Sequence, residues 1–249
     1  MGKEVLSVII PVYNEEKTVS KVIDEVLSSD VVGEVIVIDD ASGDNSVGLL
    51  ECYSGNSKVK LLRQEKNKGK GAAIRRGIEE ASYPLVIIQD ADLEYSPKDY
   101  PDIIAPILSG KADVVYGSRF QGGPGRVLYF KHQLGNKLIT FLSNLFSDLN
   151  FTDIETCYKA FRREVIQNII LESDRFGIEV EITAKLAKAK ILRIYEVPIS
   201  YNGRTYADGK KITWKDGVAA LWHVIKFNLF RTPSSYFKSD WQSVLKTDR

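Results

Sequence analysis

Short, nearly unbroken apolar runs alternate with segments of helical spacing through the first half of the chain. Val5–Ile10, Glu34–Ile38, Val59–Leu62, Pro84–Gln89 and Ala112–Tyr116 are such runs, the pattern of strands buried on both faces. Between them Val19, Val22, Ile23, Val26 and Leu27 recur every three or four positions, as do Ala73, Ile74, Gly77, Ile78 and Ala81. Ser42 and Ser96 suit N-caps, the second with Pro97 entering the first turn. Strand–helix–strand repetition predicts an α/β fold with right-handed crossovers and a mostly parallel sheet flanked by helices.

Past residue 120 the pattern is less regular. Gln121–Arg126 holds Gly122, Gly123, Pro124 and Gly125 and reads as a loop. A long helix is expected from about Leu134 to Leu149, a strand at Thr156–Phe161, a helix at Phe176–Lys188 and a strand at Ile191–Ile199. Tyr201–Lys211 reads as a polar loop and Trp214–Phe230 as a strongly apolar helix. No repeat or interdomain linker interrupts the chain, and the residues after Pro233 read as a loosely held tail.

Composition narrows the function classes. The 249 residues carry a formal net charge of +1, so no global excess of base draws a nucleic-acid partner. Cys52 and Cys157 form neither a disulfide framework nor a metal spacing, which fits ordinary thiols in a reducing compartment. The run Val5–Ile10 is too short for a signal core or a membrane span, and the residues after Gly2 lack the myristoylation spacing. The expected compartment is the cytoplasm, with peripheral attachment to the cytoplasmic membrane face left open.

Candidate chemistry collects after the apolar runs. Asp90-Ala91-Asp92 follows Pro84–Gln89, and in open α/β sheets ligands sit beyond the carboxyl ends of strands. In extended chain both carboxylates point to one side. Their repulsion is relieved by a divalent cation, with Mg2+ or Mn2+ favoured by oxygen donors and phosphates. Glu94 stands two residues on. Asp39-Asp40-Ala41-Ser42-Gly43-Asp44 ends another strand, where Asp39 could hold a base or ribose while Ser42 or Asp44 caps a helix. Pro11–Glu16 ends the first strand and also reads as a plain strand-to-helix turn. Asn67-Lys-Gly-Lys-Gly71 offers glycines for close backbone approach and lysines for charge at a helix start, or simply a basic turn. It has neither the P-loop nor the dinucleotide-binding spacing.

Taken in order, Ile9-Ile-Pro-Val-Tyr-Asn-Glu15, Asp39–Asp44, Asn67–Gly71 and Gln89-Asp-Ala-Asp92 resemble family 2 glycosyltransferases. The likeness is to the dolichol-phosphate mannose synthase and polyprenyl-phosphate glucosyltransferase group. Thr156-Cys-Tyr-Lys159, Phe176–Glu181 and Val197–Arg204 extend the resemblance over about residues 5 to 215. It implies a GT-A fold, Rossmann-like, in a single domain over 1–212. Within it, residues to about 120 form a nucleotide-binding half and 121–212 an acceptor half. An amphipathic helix at 213–231 and a tail at 232–249 follow.

The resemblance also implies roles. Pro11, Tyr13, Glu15 and Asp39, with Asp40, Lys70 and Ala91, would contact the nucleotide-sugar. Asp90, Asp92 and Glu94 would hold the metal. Arg119 would face the acceptor, and Arg204, Lys210 and Lys211 would close over the phosphates, so that Asp92, Arg119 and Arg204 carry catalysis.

A metal and nearby cations would stabilise the leaving diphosphate electrostatically. A polyprenyl phosphate acceptor is already anionic and needs no general base. The expected reaction is therefore inverting transfer of a hexose, from GDP-mannose or UDP-glucose, to that lipid phosphate. A glycan hydroxyl acceptor would instead call on Asp153 or Glu155 as base, and a third reading is a nucleotide-sugar binding protein without turnover. Apolar residues next to basic ones, in 126–146 and again in 221–231, suit an interfacial helix. Packing on the core or in an oligomer is the other use of the same residues.

Overall fold

The structure is a computed structural model that describes residues 4–122, 125–127, 129–205, 214–230 and 236–238. The chain runs β1 (Leu6–Val12), α1 (Val19–Leu27), β2 (Val32–Asp39), α2 (Ser46–Glu51), β3 (Val59–Arg63), α3 (Lys70–Glu80), β4 (Leu85–Ile88), α4 (Tyr100–Leu108) and β5 (Val114–Ser118). It continues through α5 (Phe130–Ser147), β6 (Lys159–Arg162), α6 (Arg163–Asn168), α7 (Ile178–Lys188), β7 (Ile194–Pro198) and α8 (Trp214–Leu229). The strands form one sheet in the order β3-β2-β1-β4-β6-β5-β7. Strand β6 is antiparallel to β4 and β5, and every other pairing is parallel.

The continuous apolar runs of β1, β2, β4 and β5 are buried on both faces, whereas β3, expected to be the same, is an edge strand with Lys60 and Arg63 exposed and no residue fully buried. Every residue of β4 is buried, and in β1 only Pro11 is partly exposed. Helix α1 turns Val19, Val22, Ile23 and Val26 into the core. Ser96 caps the 3-10 turn Pro97–Asp99 that opens α4, accepting from the Lys98 N–H at 3.4 Å.

Sheet order fixes where a site can form. Strands β2 and β3 lie on one side of β1, and β4 on the other. The order thus reverses between β1 and β4, the crevice where open α/β sheets bind ligands. Because β6 is antiparallel, the segment entering it arrives at the carboxyl edge of β4 and β5. Because β7 is parallel to β5, residues 199–204 leave from that edge too. Both halves of the chain therefore deliver loops to one rim.

Several elements differ from expectation. Helix α5 begins at Phe130, one turn before the expected start. The strand expected at Thr156–Phe161 is confined to Lys159–Arg162, since only Leu85–Ile87 of β4 pair with it. The six-residue α6 has no periodic signature long enough to read. Ser42 caps no helix: α2 starts after Asn45, and the Ser42 hydroxyl accepts instead from the Asn14 N–H at 3.0 Å. Helix α8 packs on α5 and α7, burying Ala220, Val224 and Phe227 while Val218, Trp222 and Leu229 stay exposed.

Candidate active site

Three turns on the rim hold non-glycine residues in the left-handed region: Asn14 (φ 53°), Ala41 (φ 58°) and Leu93 (φ 61°), after β1, β2 and β4 respectively. Such backbone costs about 1 kcal/mol or more each and persists where surrounding contacts over-determine it. Here they do. The Asn14 side-chain oxygen accepts from the Gly43 N–H at 2.7 Å, and the Glu15 N–H donates to the Ser46 hydroxyl at 2.9 Å. Asp44 accepts from Glu16 and Ser46 N–H groups. Thr18 donates to the Ala91 carbonyl at 2.6 Å, tying α1 to the acidic loop after β4.

The second and third loops are also joined. Asp40, expected at the donor, accepts from Gln64 Nε2 and the Lys68 N–H at 2.8 Å and from the Gly69 N–H at 2.7 Å. Its carboxylate braces β2 to the glycine loop. Asp39 accepts from the Ser42 N–H at 3.2 Å and faces Arg63 at 3.5 Å. Gly69 (φ 99°) and Gly71 do permit a close backbone approach, but what approaches is the protein itself. A Cβ on either would collide with the Asp174 or Ser173 carbonyl, and the Ala72 N–H at the start of α3 donates to Asp174 O at 3.1 Å.

At the crevice itself each carboxylate of the acidic pair meets a cation. Lys70 Nζ lies 2.8 Å from Asp90 and 2.9 Å from Glu179. Arg204 Nη2 lies 2.9 Å from Asp92 and 3.1 Å from Glu15, and Arg204 Nη1 donates to the second Glu15 oxygen at 3.2 Å. Burial, Asp90 and Glu94 push the Asp92 carboxyl up to about 7 against the pull of Arg204. Burial alone would lower Lys70, but Asp90 and Glu179 more than offset it and hold the ammonium well above its ordinary range. Oxygen donors crowded until one titrates near neutrality have the chemistry a hard divalent cation relieves.

The expected third ligand departs from this arrangement. Glu94 accepts from the Arg204 N–H at 2.6 Å and from the Tyr201 hydroxyl at 2.9 Å, while its carbonyl accepts from the Asn202 N–H at 2.8 Å. It anchors the 201–204 segment. Among the described residues no group of three or more His, Cys, Asp or Glu side chains is arranged to hold a metal ion.

The other side of the crevice is built by the second half. Arg119 grips the fully buried Asp153 through Nε at 2.6 Å and Nη2 at 2.7 Å, and its guanidinium stacks over the Tyr201 ring at 5.2 Å. Both Asp153 oxygens are engaged by Arg119, so this carboxylate braces the guanidinium. Glu155 differs. Burial and Glu179 push it up to about 7, against Lys159 and Arg119. Glu155 Oε1, Thr156 Oγ1, Glu179 Oε2 and Arg204 Nε are all buried without a hydrogen-bond partner. Unsatisfied buried polar atoms are costly, and these line the rim rather than the core.

Of the remaining expected residues, Tyr13 is 41% exposed beside the β1 turn, Pro11 is partly buried and Ala91 is buried. Lys210 and Lys211 lie outside the described residues. Glu179 and Lys159 carried no expected role. The sequence signals for Glu179 are its place in Phe176–Glu181, a segment that extends the resemblance without giving a role, and an acidic first turn in α7, the position a helix dipole favours.

Known proteins share this architecture. The profile of the family described as glycosyl transferase family 2 matches residues 7–170, more than half of the 249-residue chain. The chain is 31% identical over 211 residues to a dolichol-phosphate mannosyltransferase of Pyrococcus furiosus, covering 82% of this chain and 58% of that relative. It is 30% identical over 202 residues to glycosyltransferase AglJ of Haloferax volcanii, covering 81% and 64%. The chain thus spans less than two thirds of the length of either relative. Its fold matches that of glucosyl-3-phosphoglycerate synthase from Mycobacterium tuberculosis, solved with Mn2+, UDP and glucosyl-3-phosphoglycerate. The TM-score is 0.71 at 20% identity, over 90% of this chain and 80% of that one. The chain, with its mostly parallel sheet and with the profile spanning residues 7–170, belongs to glycosyl transferase family 2.

Proposed function

We propose that this chain transfers a hexose from a nucleotide-sugar, GDP-mannose or UDP-glucose, to a polyprenyl phosphate with inversion at the anomeric carbon. The observation that carries the reading is the meeting of Asp90 and Asp92 with Lys70 and Arg204 at the β1/β4 crevice. An acidic pair facing two cations suits a diphosphate held through a divalent ion. Mg2+ or Mn2+ would sit on Asp90 and Asp92, and when bound would neutralise charge growing on the leaving diphosphate. The M. tuberculosis synthase solved with Mn2+ and UDP supports the cofactor class. The relative named dolichol-phosphate mannosyltransferase supports the acceptor class.

The side chains divide the work. Tyr13 offers an exposed ring for a base, with Pro11, Glu15 and Asp39 around it. Arg204 turns to the diphosphate, and Arg119, held rigid by Asp153, faces the acceptor. For a lipid acceptor the chain must meet a membrane, and α5 presents Phe130, Leu134, Leu138, Phe141 and Leu145 to solvent beside exposed Lys131 and Lys137. Among the described residues no helix is long and apolar enough to cross a membrane, so contact would be peripheral.

One observation favours a second reading, a hydroxyl acceptor. Glu155 has an unpartnered oxygen and titrates near neutrality, as a general base should. The deciding experiment offers a panel of nucleotide-sugars with polyprenyl phosphate or with glycan acceptors, with and without Mg2+ or Mn2+. Metal-dependent transfer to the lipid that survives Glu155→Gln and is abolished by Asp92→Ala supports the first reading. Transfer only to hydroxyls, lost in Glu155→Gln, replaces it. Full turnover in excess chelator removes the metal.

A further inference from the structure

Each carboxylate of the acidic pair shares its cation with a second carboxylate. Lys70 sits between Asp90 at 2.8 Å and Glu179 at 2.9 Å. Arg204 sits between Asp92 at 2.9 Å and Glu15 at 3.1 Å. The two arms come from opposite sides of the crevice: Lys70 from the start of α3 with Glu179 from α7, and Arg204 from the loop after β7 with Glu15 from the turn after β1. With all four ionised, the four carboxylates exceed the two cations by two negative charges, the charge of one divalent ion. The far side of each arm can hold its cation. Glu179 Oε2 is buried without a partner, and Glu15 already takes both terminal nitrogens of Arg204. The Arg204 backbone is pinned separately, its N–H on Glu94 at 2.6 Å, so its side chain can leave Asp92 without the loop moving.

We infer that Lys70 and Arg204 are resident counter-ions of Asp90 and Asp92, and that Glu179 and Glu15 are positioning residues that receive them when a divalent cation binds. This rests on the reading that the acidic pair holds such a cation. Cation and side chains compete for the same oxygens, so a weaker receiving carboxylate strengthens the grip of Lys70 on Asp90 and opposes the metal. Displacement also releases Arg204 for the donor only once the cation is in place, which orders the two binding events.

The test is Mn2+ titration of the full chain without donor, read by the electron paramagnetic resonance signal of free Mn2+. Lys70→Ala should bind Mn2+ more tightly than wild type, and Glu179→Gln more weakly, each by roughly tenfold. The decisive variant is Lys70→Ala/Glu179→Gln, where the Glu179 effect should vanish because no counter-ion remains to be received. Glu179→Gln binding like wild type, or a Glu179 effect undiminished without Lys70, overturns the inference. The undiminished effect would mean that Glu179 acts only through its field. Should Glu179→Gln fail to fold by circular dichroism, the same cycle with Glu15→Gln and Arg204→Ala decides. Wild type that binds no Mn2+ removes the metal reading itself, a result distinct from either.

Discussion

Two carboxylates two positions apart in one segment, Asp153 and Glu155, have opposite fates, and the difference lies in their partners. Asp153 is fully buried and paired bidentately with Arg119. Asp153→Ala should therefore destabilise the fold by about 3–5 kcal/mol, the cost of stranding a buried charge, as measured by urea denaturation. Unchanged stability with lost turnover would instead make Asp153 a base. Glu155 is pushed up from 4.5 to about 7. Below about pH 4.5 it is protonated folded and unfolded alike. As pH rises toward 7 the unfolded chain releases this proton while the folded chain retains it, so stability falls. Glu155→Gln should thus gain about 1–3 kcal/mol over wild type at pH 8, with the gain shrinking toward pH 4. Denaturation curves at both pH values check this. Sequence reasoning put both residues in the right segment and could not separate them, because the separating partners, Arg119 and Glu179, lie 34 positions away in one case and in a different helix in the other.

Among elements, legibility follows length and burial. Strands β1, β2, β4 and β5 were readable because burial on both faces demands unbroken apolar runs, while the edge strand β3 was readable from the apolar Val59, Leu61 and Leu62 alone. Strand β6 and helix α6 are short, and their boundaries depend on partners no local pattern encodes. The glycine loop shows the same limit at the site: its glycines were read as room for a ligand, and they make room for the 173–175 backbone. Helix α5 carries the opposite message, since Phe130, Leu134, Leu138, Phe141 and Leu145 form a row left exposed among the described residues. Replacing Leu138 and Phe141 together with Ser should change stability by no more than about 0.5 kcal/mol. It should weaken sedimentation with anionic lipid vesicles by at least roughly tenfold. A large loss of stability, or undiminished vesicle binding, would show that this face serves something other than lipid.

At the scale of the whole molecule, the sheet joins what the sequence presents as two halves. Strand β5 bonds only to β6 and β7, both of which follow it in the chain, and β6 fills the gap between β4 and β5. A ribosome that has released residues up to 120 has therefore made a strand with nothing to pair with and left one edge of β4 bare. Exposed strand edges of this kind invite aggregation. Residues 1–120 expressed alone should show no cooperative melting transition and should pellet, whereas the full chain should melt as one unit. A soluble, cooperatively folding fragment would contradict this. For a nascent chain, β4 and β5 are joined only on the arrival of Arg162 and the sheet is completed only at Pro198, and chaperone engagement should be greatest in the window of synthesis between Ser118 and Arg162.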